Sequence, residues 1–486
     1  MRARRLFVAA AAVTVLAGCS SEPLLPTAQE TPVAHAQQRA ATAAPVAPVV
    51  LETAGGRASR GTVAAGGGDS HYNYAPAVMQ DGGAVRLWWC SQLGSAGPPG
   101  DDILYASAPT LDGPFRSPRA VFTGSRRGFD AVHTCDPSVL RIDGTYYLYY
   151  TGSAGGHAHG NAIGLAVSTD GRHWQRRVKP IATASGLDPK ANKYGIGQPA
   201  ALKLGAWFYL MYTDTTEPGA GPNGAGQFVL RAHDAAFTKD VQTLTANGFQ
   251  ARDAHPVKKS IVDAFSADWM WVDALNAFAV AHETKSGTTI TFLGADLTAA
   301  PYEPVVLTGP WQEGPGLART ADGHAVIPVD DPCGRVPLDV LRATVNPAAP
   351  TNMVHFGLDV TGADGCGTVE RALNTLRGYA FPSPQRTMDL VVGSGVVRVD
   401  RRSVAAKLAV AVLDHPVPAL AGVPVLARLK PGAPARTAPG RGVGLLLDDG
   451  KLWTVPAAAA ALNASATATV TPEEFDGYAG GTLSFR

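Results

Sequence analysis

Pro76, Pro137 and Pro199 stand 61 and then 62 residues apart, and each opens the same cassette: a short apolar run, a turn, then an apolar run rich in aromatic residues. The fullest copy reads Asp136-Pro137-Ser138-Val139-Leu140-Arg141-Ile142-Asp143-Gly144-Thr145-Tyr146-Tyr147-Leu148-Tyr149-Tyr150. Proline donates no backbone hydrogen bond and belongs at the edge or start of a strand, Asp-Gly turns the chain, and the aromatic run returns. The segment therefore predicts a β-hairpin with a carboxylate at its mouth.

Two of the cassettes are followed by a second strand signature, Ile103 to Ala108 and Ile163 to Ser168, and then by Asp112-Gly113-Pro114-Phe115 and Asp170-Gly171-Arg172-His173-Trp174. Each unit thus supplies about four strands, the content of a propeller blade. A fourth unit is expected at Ser266 to Asp273 with Ala277 to His282 and Thr288 to Ala295. A fifth is expected at Glu313 to Arg319 with a turn at Asp322-Gly323 and a strand from Ala325 to Val329. The expected fold class is all-β: a five-bladed β-propeller over residues 61–386. A sandwich or an open array of hairpins is the alternative that composition permits. Beyond about Thr387 short apolar runs split by Pro and Gly carry no further copy of the cassette, so residues 387–486 are expected to form a small β-rich C-terminal module.

Arg2, Arg4 and Arg5 precede an apolar run from Leu6 to Leu16 that ends in Leu16-Ala17-Gly18-Cys19. The run is short for a finished membrane span, and the box before the cysteine resembles the lipobox of bacterial lipoproteins. Residues 1–19 then form a signal peptide, Cys19 takes the lipid, and residues 20–60, rich in Ala, Pro, Gln and Thr at their start, form a flexible tether. The expected location is the cell envelope, outside the cytoplasm, with the membrane as partner through Cys19. Lys+Arg at 41 against Asp+Glu at 40 leaves no basic field for a phosphate backbone, so no nucleic acid is expected. With Cys19 set aside, Cys90, Cys135, Cys333 and Cys366 remain, an even number in an exported chain. Pairing of Cys90 with Cys135 and of Cys333 with Cys366 is the simplest of three connectivities, among which sequence does not choose. No C-x-x-C spacing points to a metal.

Strand mouths of a propeller converge on one funnel, which makes Asp136, Asp268 and Glu313 the candidate catalytic acids. Glycoside hydrolysis needs one protonated carboxyl for the leaving oxygen and one ionised carboxylate to activate water or attack the sugar, and a third acid nearby can raise the pKa of the first by like-charge repulsion. Cys135-Asp136-Pro137-Ser138-Val139 with Tyr146 to Tyr150, and Glu313-Gly314-Pro315, resemble the base and acid motifs of the arabinanase, arabinofuranosidase and β-xylosidase group, glycoside hydrolase family 43, over about Gly68 to Pro384. The resemblance implies Asp136 as general base, Glu313 as general acid and an inverting reaction, with Asp268 as the tuning acid.

Two features depart from that pattern: Asp268 is followed by Trp269 rather than proline, with Asp263 as a competing choice, and a whole unit precedes Asp136. A circularly permuted closure would reconcile the second departure. Tyr72, Asn73, Gln198, Trp269 and Trp311 are candidate sugar-binding residues, by stacking or by hydrogen bonds. Trp88, Trp89, Tyr147, Tyr149, Phe208 and Tyr212 are expected between blades. Among the histidines, His71, His133, His157, His159, His282 and His324, a loop position is the expected case. No cofactor is expected, and an ion on the propeller axis is left open. An aspartate before proline also satisfies turn amides, so a non-catalytic propeller that binds a glycan or serves envelope assembly stands beside the hydrolase reading. Replacing Cys19 with serine is expected to move the protein from the membrane fraction to the soluble fraction of its host, which cell fractionation reads directly.

Overall fold

The computed structural model describes residues 47–65, 72–81, 83–93, 100–155, 159–254, 256–344 and 352–485. The signal segment, Cys19, most of the expected tether, His71 and His157 lie outside them. Residues from Ala47 onward form one compact unit.

Five antiparallel sheets follow one another along the chain. Sheet 1 runs Asn73–Asp81, Ala84–Ser91, Asp102–Ala108, Arg119–Phe122; sheet 2 runs His133–Ile142, Thr145–Ser153, Ala162–Ser168 with two short outer strands. Sheet 3 runs Ile196–Leu204, Trp207–Asp214, Gln227–Ala232, Gln242–Thr245, Gly248–Ala251; sheet 4 runs Ala267–Val272, Ala277–Thr284, Gly287–Gly294, Val305–Leu307. Sheet 5 joins Gly316–Arg319, Arg335–Ala343 and Met353–Thr361 to an outer strand from far upstream, Glu52–Ala58.

The first strands touch in cyclic order and the last pairs with the first, Val78 opposite Ala318 and Met79 opposite Arg319. One apolar layer fills each gap between neighbouring sheets, including the gap between sheets 5 and 1, where Val78, Leu87, Trp89, Leu341 and Met353 meet. Side chains of a strand alternate between faces, so Ala77 and Met79 enter the layer shared with sheet 2 while Val78 enters the layer shared with sheet 5. The ring is a closed β-propeller. Trp88, Trp89, Tyr149 and Tyr212 are buried in these layers, as their strand positions predict.

Two expectations about sheet 5 are corrected. Its second strand is Arg335–Ala343, not Ala325 to Val329. The chain turns at Asp322-Gly323, with Arg319 opposite Ala325 and Thr320 N–H donating to His324 O (2.8 Å), but the turn lies across the end of the axis. Arg141 N–H donates to Ala321 O (2.7 Å), Lys203 N–H to Asp322 O (2.8 Å) and Trp271 N–H to Gly323 O (3.1 Å), which ties this segment to sheets 2, 3 and 4 in turn. Gly323 has φ 88°, and a Cβ there would stand 2.6 Å from Leu202 Cβ. His324 bridges the Asp273 carboxylate (2.8 Å) and the Lys203 carbonyl (2.8 Å). Burial opposes its charge, but these acceptors prevail and raise its pKa to about 9.

The second correction is to the tether, because Glu52–Ala58 belongs to the propeller. This strand has an exposed face and two consecutive glycines, so apolar burial does not hold it. Its main chain pairs with Met353–Thr361, and Arg57 donates from Nε and Nη2 to Asp339 (2.6 and 2.8 Å) and from Nη1 to Asp359 (2.8 Å). His355 links the same Asp339 to Asp112 of the loop after the third strand of sheet 1 (2.7 and 2.8 Å), so one ion cluster spans the seam.

The C-terminal module begins earlier than residue 387. Strand Ala380–Pro382 pairs with Met388–Val392, and Thr368 caps the helix Val369–Thr375 before it. The module is a tandem repeat. Ala380–Pro382, Met388–Val392, Gly395–Val399, helix Arg402–Leu408 and parallel strand Val425–Leu429 recur as Ala435–Ala438, Gly442–Leu446, Leu452–Val455, helix Ala457–Leu462 and parallel strand Ala479–Thr482, about 55 residues on. The two copies share one core through Leu390, Val404, Leu408, Leu445 and Ala459. A second cluster, Tyr379, Phe381 and Leu413 with Ile327 and the cysteines of the Cys333–Cys366 disulfide, docks the module on the propeller. Cys90 and Cys135 form the other disulfide, linking sheets 1 and 2.

Replacing Arg57 with alanine leaves Asp339 and Asp359 short of their main cation and is expected to cost about 2 kcal/mol of stability, read as a lower urea midpoint. An unchanged midpoint would mean that main-chain pairing alone holds the closing strand.

Candidate active site

The first strands of sheets 1, 2 and 3 share one irregularity near their starts. Their register against the second strand slips between Tyr74 and Ala77, between Cys135 and Ser138, and between Gly197 and Ala200. Within each slip the residue before proline has positive φ: Ala75 at 47°, Asp136 at 47°, Gln198 at 52°. A β-bulge re-aims a side chain, and the following proline makes this conformation unusual, so the strain is stored where Asp136 and Gln198 turn to the axis. In sheet 5 the same conformation falls on Gly314 (φ 63°), where a Cβ would stand 2.7 Å from Ala75 Cα. Glu313 is therefore one residue upstream of the bulge position. Sheet 4 has no proline and no register slip at Asp268.

These ends surround a funnel of about 340 Å³ that is open to solvent. Sheet 1 contributes Tyr72, Tyr74 and Asp101; sheet 2 contributes His133, Cys135, Asp136, Thr151 and, at its third strand, Asn161; Tyr194, Gln198 and Phe265 come from the far side, and Gln312 and Glu313 from the approach to sheet 5. Asp136 and Glu313, 177 residues apart in sequence, thus face one cavity. Gln198 donates from Nε2 to Glu313 Oε1 (3.3 Å), and Thr151 accepts the Gln198 backbone N–H (2.8 Å).

Burial pushes the Asp136 carboxyl up to about 7; Thr151 opposes the shift, and the charges of Glu313 and Asp101 add to it. Burial also raises Glu313, with Gln198 and Ser266 opposing. Burial and the same two carboxylates hold the Tyr74 and Tyr194 phenols well above their ordinary range, so both stay neutral. Among the described residues no lysine or arginine lines the funnel. Burial without a cation thus favours the neutral form of both carboxyls, whereas acid and base chemistry needs one of them protonated and the other ionised.

Asp268 is not in the funnel wall but lines the adjoining narrower channel, together with Asp136, Gln198 and the Pro76, Pro137, Pro199 and Pro315 ring. Oδ1 accepts Trp269 N–H (2.9 Å) and lies 3.2 Å from Arg319 Nη1, and Oδ2 accepts Leu317 N–H (2.9 Å). Three other expected site residues are also displaced. Asn73 is fully buried and its Oδ1 accepts Trp89 Nε1–H (2.7 Å); Trp269 is buried against Phe278 with its Nε1–H on Ala200 O (2.9 Å). Both belong to blade packing. Trp311 is 38% exposed and does not line the funnel, and Asp263 is exposed away from it.

Tyr72 and Gln198 do line it. The unforeseen members are Asp101, Thr151, Asn161, Tyr194, Phe265 and Gln312, together with His133, which sequence offered only as a loop histidine. Thr151 was within reach: the turn at Asp143-Gly144 sets the register that places it opposite Cys135. The only grouping of metal-type ligands among the described residues is Cys90, Asp101 and Cys135, whose sulfurs are bonded to each other.

No protein-family model matches the chain, and no curated protein matches it. Among solved structures, the chain is similar to the catalytic domain of the Coprinopsis cinerea GH62 α-L-arabinofuranosidase, with TM-score 0.43, 12% identity, and 64% of this chain and 98% of that one covered. It is similar to the Podospora anserina α-L-arabinofuranosidase solved with cellotriose, with TM-score 0.43, 11% identity and the same coverage. It is also similar to a family 117 glycoside hydrolase from the marine bacterium Zobellia galactanivorans, with TM-score 0.42, 12% identity, and 64% and 92% covered.

A carboxyl whose pKa is higher folded than unfolded stabilises below its unfolded pKa, near 4, and that stabilisation is lost as pH rises through its folded pKa, near 7 for Asp136. Asp136→Asn is therefore expected to stabilise the protein at pH 8 by about 2 kcal/mol relative to the parent and to flatten the fall in stability between pH 4 and pH 8, as read by denaturant titration. Parallel pH dependences in the two proteins would contradict the buried, uncompensated carboxyl.

Proposed function

We propose that this protein is a glycoside hydrolase of the envelope, held to the membrane by lipid on Cys19, that cuts pentofuranoside or related linkages in an extracellular glycan with inversion. The reading rests on one observation: Asp136 and Glu313, brought from different sheets, line one funnel with no cation among its described lining. In the expected reaction Asp136, ionised, takes a proton from water as that water attacks the anomeric carbon. Glu313, protonated, gives its proton to the leaving oxygen. Gln198 orients Glu313 through its amide, and Tyr72, at the wall, offers an aromatic face to the C–H side of a sugar ring.

The second reading, a propeller that binds a glycan or serves envelope assembly without cutting, is favoured by Asp268. Its carboxylate is taken up by Arg319 and two backbone N–H groups, which leaves the third acid of the resembled pattern outside the funnel.

Release of sugar from arabinans, xylans and aryl furanosides, with Glu313→Gln and Asp136→Asn run beside the parent, separates the two. The hydrolase reading expects each variant to lose roughly 10²–10⁴-fold in kcat while remaining folded. Turnover of none of these substrates by the parent would leave the binding reading.

A further inference from the structure

Asp101 is the one carboxylate in the funnel that the reaction above does not use. It is firmly placed. Its carbonyl accepts Thr134 N–H (2.9 Å), its own N–H donates to His133 Nδ1 (3.1 Å), and its Oδ2 lies 3.2 Å from the same nitrogen. Gly100 permits the approach, since a Cβ there would stand 2.6 Å from Val132 O. The Asp101 carboxylate lies within 4.8 Å of the Cys135 sulfur, which is 3.3 Å from Asp136 Oδ1, so the two carboxyls are no more than about 8 Å apart.

The titratable groups around it are Asp102 and the neutral Tyr74 on sheet 1, His133 and Asp136 on sheet 2, and Glu313 across the funnel. No lysine or arginine lines the cavity among the described residues, and the internal segments outside them contain neither in sequence. Beside the pair, the Tyr194 hydroxyl is buried and makes no hydrogen bond of ordinary geometry. Asp268 lines the adjoining channel with Asp136 and Gln198 and has Arg319 at 3.2 Å as its own cation.

We propose that Asp101 is a positioning residue of this site: held by His133 and Thr134 at the junction of sheets 1 and 2, its carboxylate places a third acidic group beside Asp136 and Glu313 and opposes their ionisation. Asp101 thereby adds from the first blade an acid that, unlike Asp268, has no arginine against it. The inference rests on the same site as the proposed hydrolase, but its primary readout needs no turnover. The direction follows from charge alone. A negative group nearby makes ionisation of the pair harder, so its removal shifts both titrations to lower pH.

The test is a titration of the side-chain carboxyl resonances of Asp136 and Glu313 by ¹³C NMR in the full chain, comparing the parent with Asp101→Asn and Asp268→Asn. Asp101→Asn is expected to lower both apparent pKa values by about 0.5–1 unit, the effect of one charge at this range in a solvent-open cavity. Asp268→Asn is expected to leave them in place, and Asp101→Glu to restore most of the shift. If the active protein has a bell-shaped pH profile, both of its limbs move down by the same amount in Asp101→Asn. Unchanged titrations in Asp101→Asn, or an equal shift in Asp268→Asn, overturn the proposal. Should Asp268→Asn fail to fold, the Asp101→Asn and Asp101→Glu titrations decide alone. A shift as expected in a protein that hydrolyses none of the substrates above upholds the proposal and sinks the hydrolase reading.

Discussion

One buried guanidinium holds the five sheets to a common axis. Arg319, 2% exposed, donates from Nη1 to the carbonyls of Ala201 (3.0 Å) and Trp269 (2.7 Å) and from Nη2 to Ser138 Oγ (3.0 Å), with the Asp268 carboxylate at 3.2 Å. Its own backbone lies opposite Met79 of sheet 1. A single side chain on sheet 5 thus engages sheets 2, 3 and 4, and its strand engages sheet 1. A charge with its donors so fully used is tolerable in the interior, whereas removal of Asp268 would leave it uncompensated. The funnel depends on this arrangement, because the strand ends that carry Asp136, Gln198 and Glu313 converge only if the strands beneath them stay in register. Asp268 is tied to this axle through Arg319, and its carboxyl also lines the channel that Asp136 and Gln198 share.

The features legible in sequence were those governed by local backbone chemistry. Proline at a strand start, Asp-Gly at a turn and an aromatic return strand sufficed to place the hairpins of sheets 1, 2 and 3, and the 61- and 62-residue spacing pointed to blades. Features governed by distant partners were not legible. Glu52–Ala58 has neither alternation nor β-branched bulk beyond Thr53, and its reasons for being a strand lie about 300 residues away, in Asp339, Asp359 and the edge of Met353–Thr361. The Asp322-Gly323 pair looked like a hairpin turn because a turn is what it makes; that the chain then crosses the axis is decided by carbonyl and N–H groups on three other sheets. The tandem repeat in the C-terminal module was also hidden, since its two copies share strand and helix order while their residues differ.

The site divides along the same line. Asp136 and Gln198, which precede Pro137 and Pro199 within a repeated bulge, and Glu313, two residues before Pro315, line the funnel at positions that the proline motif marks in sequence. Trp269 was misjudged because an indole beside a strand mouth can face the funnel or the neighbouring blade, and the unbroken register of sheet 4 turns it to the blade. Asp101, Tyr194 and Phe265 sit in connections between strands, where sequence carries no period and the fold alone decides what meets. The property of the funnel as a whole is electrostatic: carboxyls and phenols gathered without a lysine or arginine among the described lining, an environment that no single motif encodes.

The closing strand has a kinetic side. Glu52–Ala58 comes early in the chain, and its partner strand Met353–Thr361 comes about 300 residues later, after every other strand of the ring. Glu52–Ala58 therefore stays unpaired until nearly the whole propeller has been made. Closure is then a single long-range event rather than a gradual accretion. A strand that waits this way benefits from being poor in apolar residues: Glu-Thr-Ala-Gly-Gly-Arg-Ala offers little for a foreign edge to grip, so the delay adds little risk of mispairing.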